Sequence, residues 1–123
     1  MQYAVLCYHD EKVTCAWSKE HDDAVMAKLG AVMEKYQRQG KLGPVARLLP
    51  TTAATTLRKD REPALVMDGP FAETKEQFLG FYIIDCKDLD EALTFAKELG
   101  AVNPGGAYEI RPVGAFWPGK AAS

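Results

Sequence analysis

The densest group of chemically capable side chains lies near the middle of the sequence, in the run Asp68-Gly69-Pro70-Phe71. Asp68 ends a predicted strand where the chain must turn, Gly69 can adopt a positive φ there, and Pro70 fixes the direction of the exit. If Phe71 and another aromatic ring surround the carboxylate, their low polarity favours its protonated form and suits it to proton transfer. Asp68 is therefore a candidate general acid or base. The alternative is that it accepts backbone N–H bonds in an Asx turn and only shapes the loop.

Each of the two histidines precedes a pair of acidic residues, at 9–11 and at 21–23. Imidazole and carboxylate groups together can bind a metal ion, but this spacing matches no metal site, and none is expected. We interpret His9 and His21 as candidate catalytic proton carriers or as groups at the rim of a pocket. His9 is the stronger candidate, because it directly follows the first predicted strand.

Aromatic side chains alternate along two predicted strands, with Tyr3 and Tyr8 on the first and Phe81 and Tyr82 on a later one. A sheet face that presents rings and a few hydroxyl groups can line a pocket for a flat organic ligand, although packing in the core is the alternative. The predicted substrate-binding residues are Tyr8, Phe71 and Tyr82. The sequence has neither a glycine-rich phosphate loop nor a G-x-S-x-G motif, so no cofactor is expected.

The elements that must position these residues are indicated by apolar periodicity and by chain breakers. One helix is predicted from an N-cap at Ser18 to a stop at Gly40. A second is predicted from an N-cap at Asp88 to a stop at Gly100. The segment 9–17 is predicted to be a loop. Strands are predicted at 2–8, 44–49, 80–85 and 107–112, with an inserted hairpin formed by 54–58 and 64–68.

The order of these elements predicts an α+β fold of the ferredoxin-like, split βαβ type, in which two helices lie on one face of an antiparallel sheet. The strands at 2–8 and 80–85 are apolar on both faces, so the face without helices also needs a cover. We therefore expect a homodimer in which two sheets pack face to face as a dimeric α/β barrel. Because a chain of this size is marginal for enclosing a ligand cavity alone, the dimer is expected to supply it.

Length and composition limit the domain count and the classes of partner. The 123 residues suffice for one domain, expected at 1–116, with a C-terminal tail at 117–123. The 15 basic and 17 acidic residues give a net charge of −2 without a basic cluster, which argues against nucleic-acid binding. No apolar stretch, 81–84 included, approaches the roughly 20 residues needed to cross a membrane. Three cysteines without a disulfide or zinc pattern favour a reducing, cytoplasmic setting.

The run from 68 to 77, followed by Gly80-Phe81-Tyr82, resembles the signature of the YCII-related, or DGPF-domain, family. The resemblance implies a ferredoxin-like fold that assembles into a dimeric α/β barrel. It implies little about activity, since most DGPF-type proteins have no known function. Related dimeric barrels include isomerases, dehalogenating enzymes and monooxygenases that act on small, often aromatic molecules. Segments that resemble the family in the same order are 6–11, 54–58, 88–92 and 109–113.

Within the YCII branch, a His and an Asp have been proposed as catalytic partners, and that His lies near the start of the first helix, close to the position of His21 here. Only Asp68 carries over with the motif itself. We therefore expect a small cytoplasmic enzyme in which Asp68, with His9 or His21, moves a proton on a small organic substrate. The alternative is a non-catalytic module that binds a metabolite or docks a partner protein.

Overall fold

The computed structural model describes residues 1–119, so the predicted tail at 117–123 lies partly outside the described residues. All six predicted strands and both predicted helices are confirmed. A 3₁₀ turn at Thr51–Ala53 precedes the hairpin. In chain order the elements are β1 (Gln2–His9), α1 (Glu11–Thr14), α2 (Lys19–Arg38), β2 (Leu42–Arg47), β3 (Thr55–Arg58), β4 (Leu65–Asp68), β5 (Gln77–Asp85), α3 (Leu89–Val102) and β6 (Ala107–Pro112).

Four of the strands form one antiparallel sheet in the order β2-β5-β1-β6. The central strand β1 pairs with β5, where Gln2 is opposite Asp85, and with β6, where Tyr3 is opposite Pro112. Because α2 and α3 follow the first and third strands of this sheet, the arrangement is consistent with a ferredoxin-like fold. The predicted α+β class and antiparallel sheet are confirmed. The dimeric barrel involves a second copy and stays a prediction.

A β-bulge interrupts the pairing of β1 with β5. Cys7 is opposite Gly80 and Tyr8 is opposite Phe78, so Leu79 has no opposite residue in β1. The bulge lies close to the C-terminal end of β1. It therefore affects the part of the sheet that leads into the candidate site.

The core lies between the sheet and the two long helices. Alternate residues of β1 and β5 point toward the helices, and the buried side chains among them are Tyr3, Val5, Tyr82 and Ile84. The helices contribute the larger buried side chains Val25, Leu29, Tyr36, Phe95 and Leu99. Both long helices therefore cover one face of the sheet, as predicted. The opposite face presents Leu6, Phe81 and Ile83, which are only half-buried.

Both predicted N-caps are confirmed. The Ser18 hydroxyl accepts a hydrogen bond from the His21 N–H at 3.0 Å and begins α2. The Asp88 carboxylate accepts one from the Glu91 N–H at 3.0 Å and begins α3. Each cap satisfies an N–H group that has no carbonyl partner within its own helix.

The C-terminal end of α3 differs from the prediction. The helix passes through Gly100 and ends at Val102, where the N–H of the next residue, Asn103, donates to the Leu99 carbonyl at 3.1 Å. A single glycine weakens a helix by only about 1 kcal/mol, which the buried side chains of α3 offset. Pro104 is the stronger breaker, because proline cannot donate the next backbone hydrogen bond.

The segment 9–17 is not entirely a loop, because it contains the four-residue helix α1. The Asp10 carboxylate caps this helix by accepting a hydrogen bond from the Lys12 N–H at 2.9 Å. The limits of two predicted strands also need correction, since β2 begins at Leu42 and β5 at Gln77. Both strands are longer at their N-terminal ends because pairing in the sheet continues there.

The inserted hairpin is confirmed, but it is not part of the main sheet. Strands β3 and β4 pair with each other in a separate two-stranded sheet, in which Thr55 is opposite Asp68. All four residues of β4 are exposed. The signature run therefore begins on a hairpin that lies outside the core.

Candidate functional site

A cavity of about 590 Å³ lies between the N-terminal half of α2 and the helix-facing side of the sheet. A single chain forms this open cavity, and the expectation that a second copy completes it stays a prediction. Cys7 and Gly80, which are paired in the sheet, lie in the wall of this cavity. Apolar side chains of the wall include Val25, Met26, Leu29, Met33 and Val45.

His9, the last residue of β1, lies in the wall of this cavity. Its Nε2 atom is 3.1 Å from the Pro104 carbonyl oxygen. Because a carbonyl can only accept, Nε2 is assigned as the donor, and Nδ1 of the neutral imidazole then carries the lone pair. Within residues 1–119, Nδ1 is buried and has no hydrogen-bond partner.

Two consecutive glycines let the loop after α3 approach His9 closely. A Cβ atom at Gly105 would lie 2.6 Å from His9 Nε2, and one at Gly106 would lie 2.4 Å from the Tyr8 carbonyl oxygen. Both glycines have φ of +77°, a conformation that other residues rarely adopt. The sequence analysis missed this role, although a Pro-Gly-Gly run directly before a strand is the signal of a tight approach.

Trp17 brings the two predicted histidines to one end of the cavity. Its ring meets His9 edge-on with 6.0 Å between centroids, and it meets His21 edge-on at 4.7 Å. His9 and Trp17 line the cavity, whereas His21 is exposed on the first turn of α2. Trp17 is a second site residue that the sequence analysis did not identify.

The predicted substrate-binding residues separate into two places. Tyr82 is buried in the cavity wall and packs edge-on against Phe95 with 5.7 Å between ring centroids. Tyr8 borders both the cavity and a second, shallower groove of about 810 Å³ beside the hairpin, where its ring contacts Phe78 at 5.6 Å. Phe71 lines only that second groove, and 74% of its surface is exposed.

Asp68 is exposed at the end of β4 and does not line the cavity. The turn after it has the predicted form, since Gly69 has φ of +100° and its N–H donates to the Ala54 carbonyl at 2.8 Å. The Arg58 guanidinium lies over the Phe71 ring at 5.3 Å. Within a single chain, the structure therefore does not bring Asp68 to either histidine.

The comparison with known families agrees with the signature and the fold. The model of the YCII-related domain matches residues 1–116. The chain belongs to this family. A relative that is 63% identical over 124 residues, and that covers 100% of each chain, is an uncharacterized protein of Rhizobium meliloti (strain 1021). The family of this YCII-related domain is thereby shown, while its activity has to be inferred from the site.

Burial keeps the ionisable groups of the sheet beneath α2 in their neutral forms. It raises the pKa of the Cys7 thiol to about 12, and it also raises the pKa of the Tyr82 and Tyr108 hydroxyls. At neutral pH the thiol is therefore not a nucleophilic thiolate. The two phenols are available as hydrogen-bond donors.

The charged side chains at the mouth of the cavity are already paired. The Arg47 guanidinium donates to both carboxylate oxygens of Asp22, at 3.0 and 3.3 Å. The Glu11 carboxylate accepts from the Thr51 N–H at 2.7 Å and from the Thr51 hydroxyl at 2.6 Å. Lys19 lies 3.4 Å from an Asp23 oxygen. The cavity of the YCII-related domain is therefore mostly apolar, with its cations ion-paired and the Glu11 carboxylate hydrogen-bonded at the rim.

Two further features concern residues 1–119 alone. No helix in that range is long and apolar enough to cross a membrane. No three side chains of the His, Cys, Asp or Glu type converge there in a way that could hold a metal ion.

Proposed function

We propose that this YCII-related domain binds a small organic molecule in the cavity beneath α2 and exchanges a proton with it through His9. The observation that carries the proposal is the buried Nδ1 atom of His9, which has no hydrogen-bond partner within residues 1–119. The volume of about 590 Å³ lies within the usual range of ligand cavities. A buried acceptor without a partner is unfavourable, and a ligand N–H or O–H group would satisfy it.

Binding without catalysis is the second candidate function. It is favoured by the exposed position of Asp68, which leaves His9 without the carboxylate partner that the sequence analysis expected. An imidazole without such a partner can still orient a ligand by accepting a hydrogen bond.

We also propose that two copies associate through the sheet face that the helices leave uncovered. Its apolar side chains Leu6, Phe81 and Ile83 are half-buried in a single chain, and a second copy would cover them. Sedimentation at micromolar concentration should report a dimer. A single subunit with native helix content would exclude this assembly and the dimeric α/β barrel with it.

A catalytic role for Asp68 stays a prediction that depends on this dimer, because only a second copy could cover the exposed carboxylate. The Asp68→Asn variant should remain folded and lose turnover if the role exists. Unchanged turnover in a folded dimer would remove Asp68 from the mechanism.

A thermal-shift screen of small aromatic and carbonyl compounds tests the proposed function. A bound compound raises the melting temperature whether or not it is converted, and product analysis of each hit separates the two candidate functions. His9→Gln should abolish conversion while keeping the thermal shift, since the glutamine amide can still donate to the Pro104 carbonyl. His21→Gln is the matched control, because that imidazole is exposed. A screen in which no compound binds would contradict both candidate functions.

A further inference from the structure

Two tyrosines of the cavity wall lie on strands at either side of β1. Tyr82 on β5 is opposite Val5, and Tyr108 on β6 is opposite Cys7, and both tyrosines line the cavity. Only 7% of the Tyr82 surface is exposed, so this polar side chain is more than nine-tenths buried. Among residues 1–119 its hydroxyl oxygen is not one of the fully buried atoms that lack a partner, which is consistent with access from the cavity.

The Tyr108 hydroxyl has an unused hydrogen. Its oxygen accepts a hydrogen bond from Asn103 Nδ2 at 2.9 Å. Because a hydroxyl has one hydrogen to donate, this contact fixes the oxygen and leaves the O–H group available to another acceptor. Asn103 therefore positions Tyr108 without occupying its donor.

The charges around the cavity argue against an anionic ligand. Each cation at the rim already has a carboxylate partner, Asp22 for Arg47 and Asp23 for Lys19. The Glu11 carboxylate also lines the cavity and adds negative charge there. A ligand carboxylate would lose its hydration without gaining an unpaired cation, which is costly. A neutral oxygen acceptor meets no such cost.

We infer that Tyr82 and Tyr108 together donate hydrogen bonds to one carbonyl oxygen of a neutral, mostly apolar ligand. The inference rests on the proposed function, because it concerns the same cavity. The carbonyl oxygen has two lone pairs, so it can accept from both hydroxyls at once. The apolar walls formed by Met26, Leu29 and Val45 accommodate the rest of the molecule. The ligand class is therefore a small aromatic or aliphatic ketone, aldehyde or related carbonyl compound.

Acetophenone and α-methylstyrene are suitable probes, because they have the same shape and differ in a carbonyl oxygen replaced by a methylene group. Calorimetric titration of the wild-type chain should give tighter binding of acetophenone. Each hydroxyl should contribute about fivefold, since a net hydrogen bond is worth about 1 kcal/mol. Tyr82→Phe and Tyr108→Phe should each lose about fivefold of this preference, and the double variant should lose all of it. The carbonyl stretching band of bound acetophenone should shift to lower frequency in the wild-type chain, shift less in each single variant and stay unshifted in the double variant.

Tyr36→Phe is the matched control. That hydroxyl donates to Glu98 at 3.1 Å and is outside the cavity wall, so its loss should leave the preference unchanged. The infrared measurement needs only the wild-type chain, so it decides the question even if a variant fails to fold. Equal binding of the two probes with an unshifted band would overturn the inference and leave the binding cavity intact. Binding of neither probe would overturn the inference and contradict the proposed function, and tighter binding of benzoate would overturn the neutral ligand class.

Discussion

The His9 end of the cavity and the Asp68 turn of the hairpin hold the residues that the sequence marks for chemistry, and they are built in different ways. His9 is fixed by the Pro104 carbonyl at 3.1 Å, by the edge of Trp17 and by two closely approaching glycines. Asp68 is exposed on a hairpin whose strands pair only with each other.

This difference shows that a distinctive sequence motif and a preorganised site need not coincide. A side chain is ready for chemistry when its surroundings fix its position before a ligand arrives. His9 meets that condition within one chain. Asp68 would meet it only if another surface covered the hairpin.

The largest expected difference between the two regions is in how much one phenylalanine of each contributes to the free energy of unfolding. Phe95 is fully buried and packs against Tyr36 and Tyr82, so Phe95→Ala should lower the free energy of unfolding by about 4 kcal/mol. Phe71 is mostly exposed, and Phe71→Ala should change the free energy of unfolding by less than about 0.5 kcal/mol in the isolated subunit. Urea denaturation measures both. A similar loss in the two variants would show that the hairpin packs as tightly as the core.

A smaller difference is expected in the stability cost of replacing two glycines that have positive φ, Gly106 and Gly69. At Gly106 a Cβ atom would lie 2.4 Å from the Tyr8 carbonyl oxygen, whereas at Gly69 nothing lies within 4 Å. Gly106→Ala should therefore cost about 3 kcal/mol of stability, from strain and from the displaced backbone, and Gly69→Ala about 1 kcal/mol, from strain alone. Gly106→Ala should also change ligand binding, because it displaces His9. Equal costs would mean that the loop does not press against His9 in solution.

The smallest expected effect is a pH dependence of stability that arises from Cys7 in the cavity wall. Burial raises the pKa of Cys7 to about 12, above that of the unfolded chain, so its contribution is complete below about pH 8.5 and is lost as the pH rises toward 12. The free energy of unfolding should fall by about 2 kcal/mol from this thiol between pH 8 and 10. Cys7→Ala should flatten that part of the curve, and Cys15→Ala, at an exposed position, is the control. An unchanged slope in Cys7→Ala would assign the effect to another group.

Local patterns were sufficient to predict most of the fold. The caps at Ser18 and Asp88 satisfy helix N–H groups with their own side chains, so a few neighbouring residues encode them. The strand at 2–8 was predicted because both of its faces are apolar, which is typical of a central strand. The four-residue α1 is too short to leave a periodic pattern, and it was missed.

The candidate site was less predictable, because contacts between distant residues build it. His9 and Tyr82 were identified from their residue types and strand positions. The partner of His9 is the carbonyl of Pro104, 95 residues away, and any residue type provides a carbonyl. The position of Asp68 relative to the cavity depends on where the hairpin packs, which no local pattern encodes. The cavity itself depends on how α2 packs above the sheet, and its walls come from residues far apart in the chain.

The bulge at Leu79 makes strand length a determinant of the site, independent of residue type. One additional residue in β5 reverses the in-and-out alternation on its N-terminal side, so Phe78 comes opposite Tyr8 and Gln77 opposite His9. Removing Leu79 would leave Phe78 opposite Tyr8 and Gln77 opposite His9 and would remove the local bend of the strand. Homologues whose β5 lacks this extra residue should therefore present the same side chains at a different angle to α2, even where their signature run is identical.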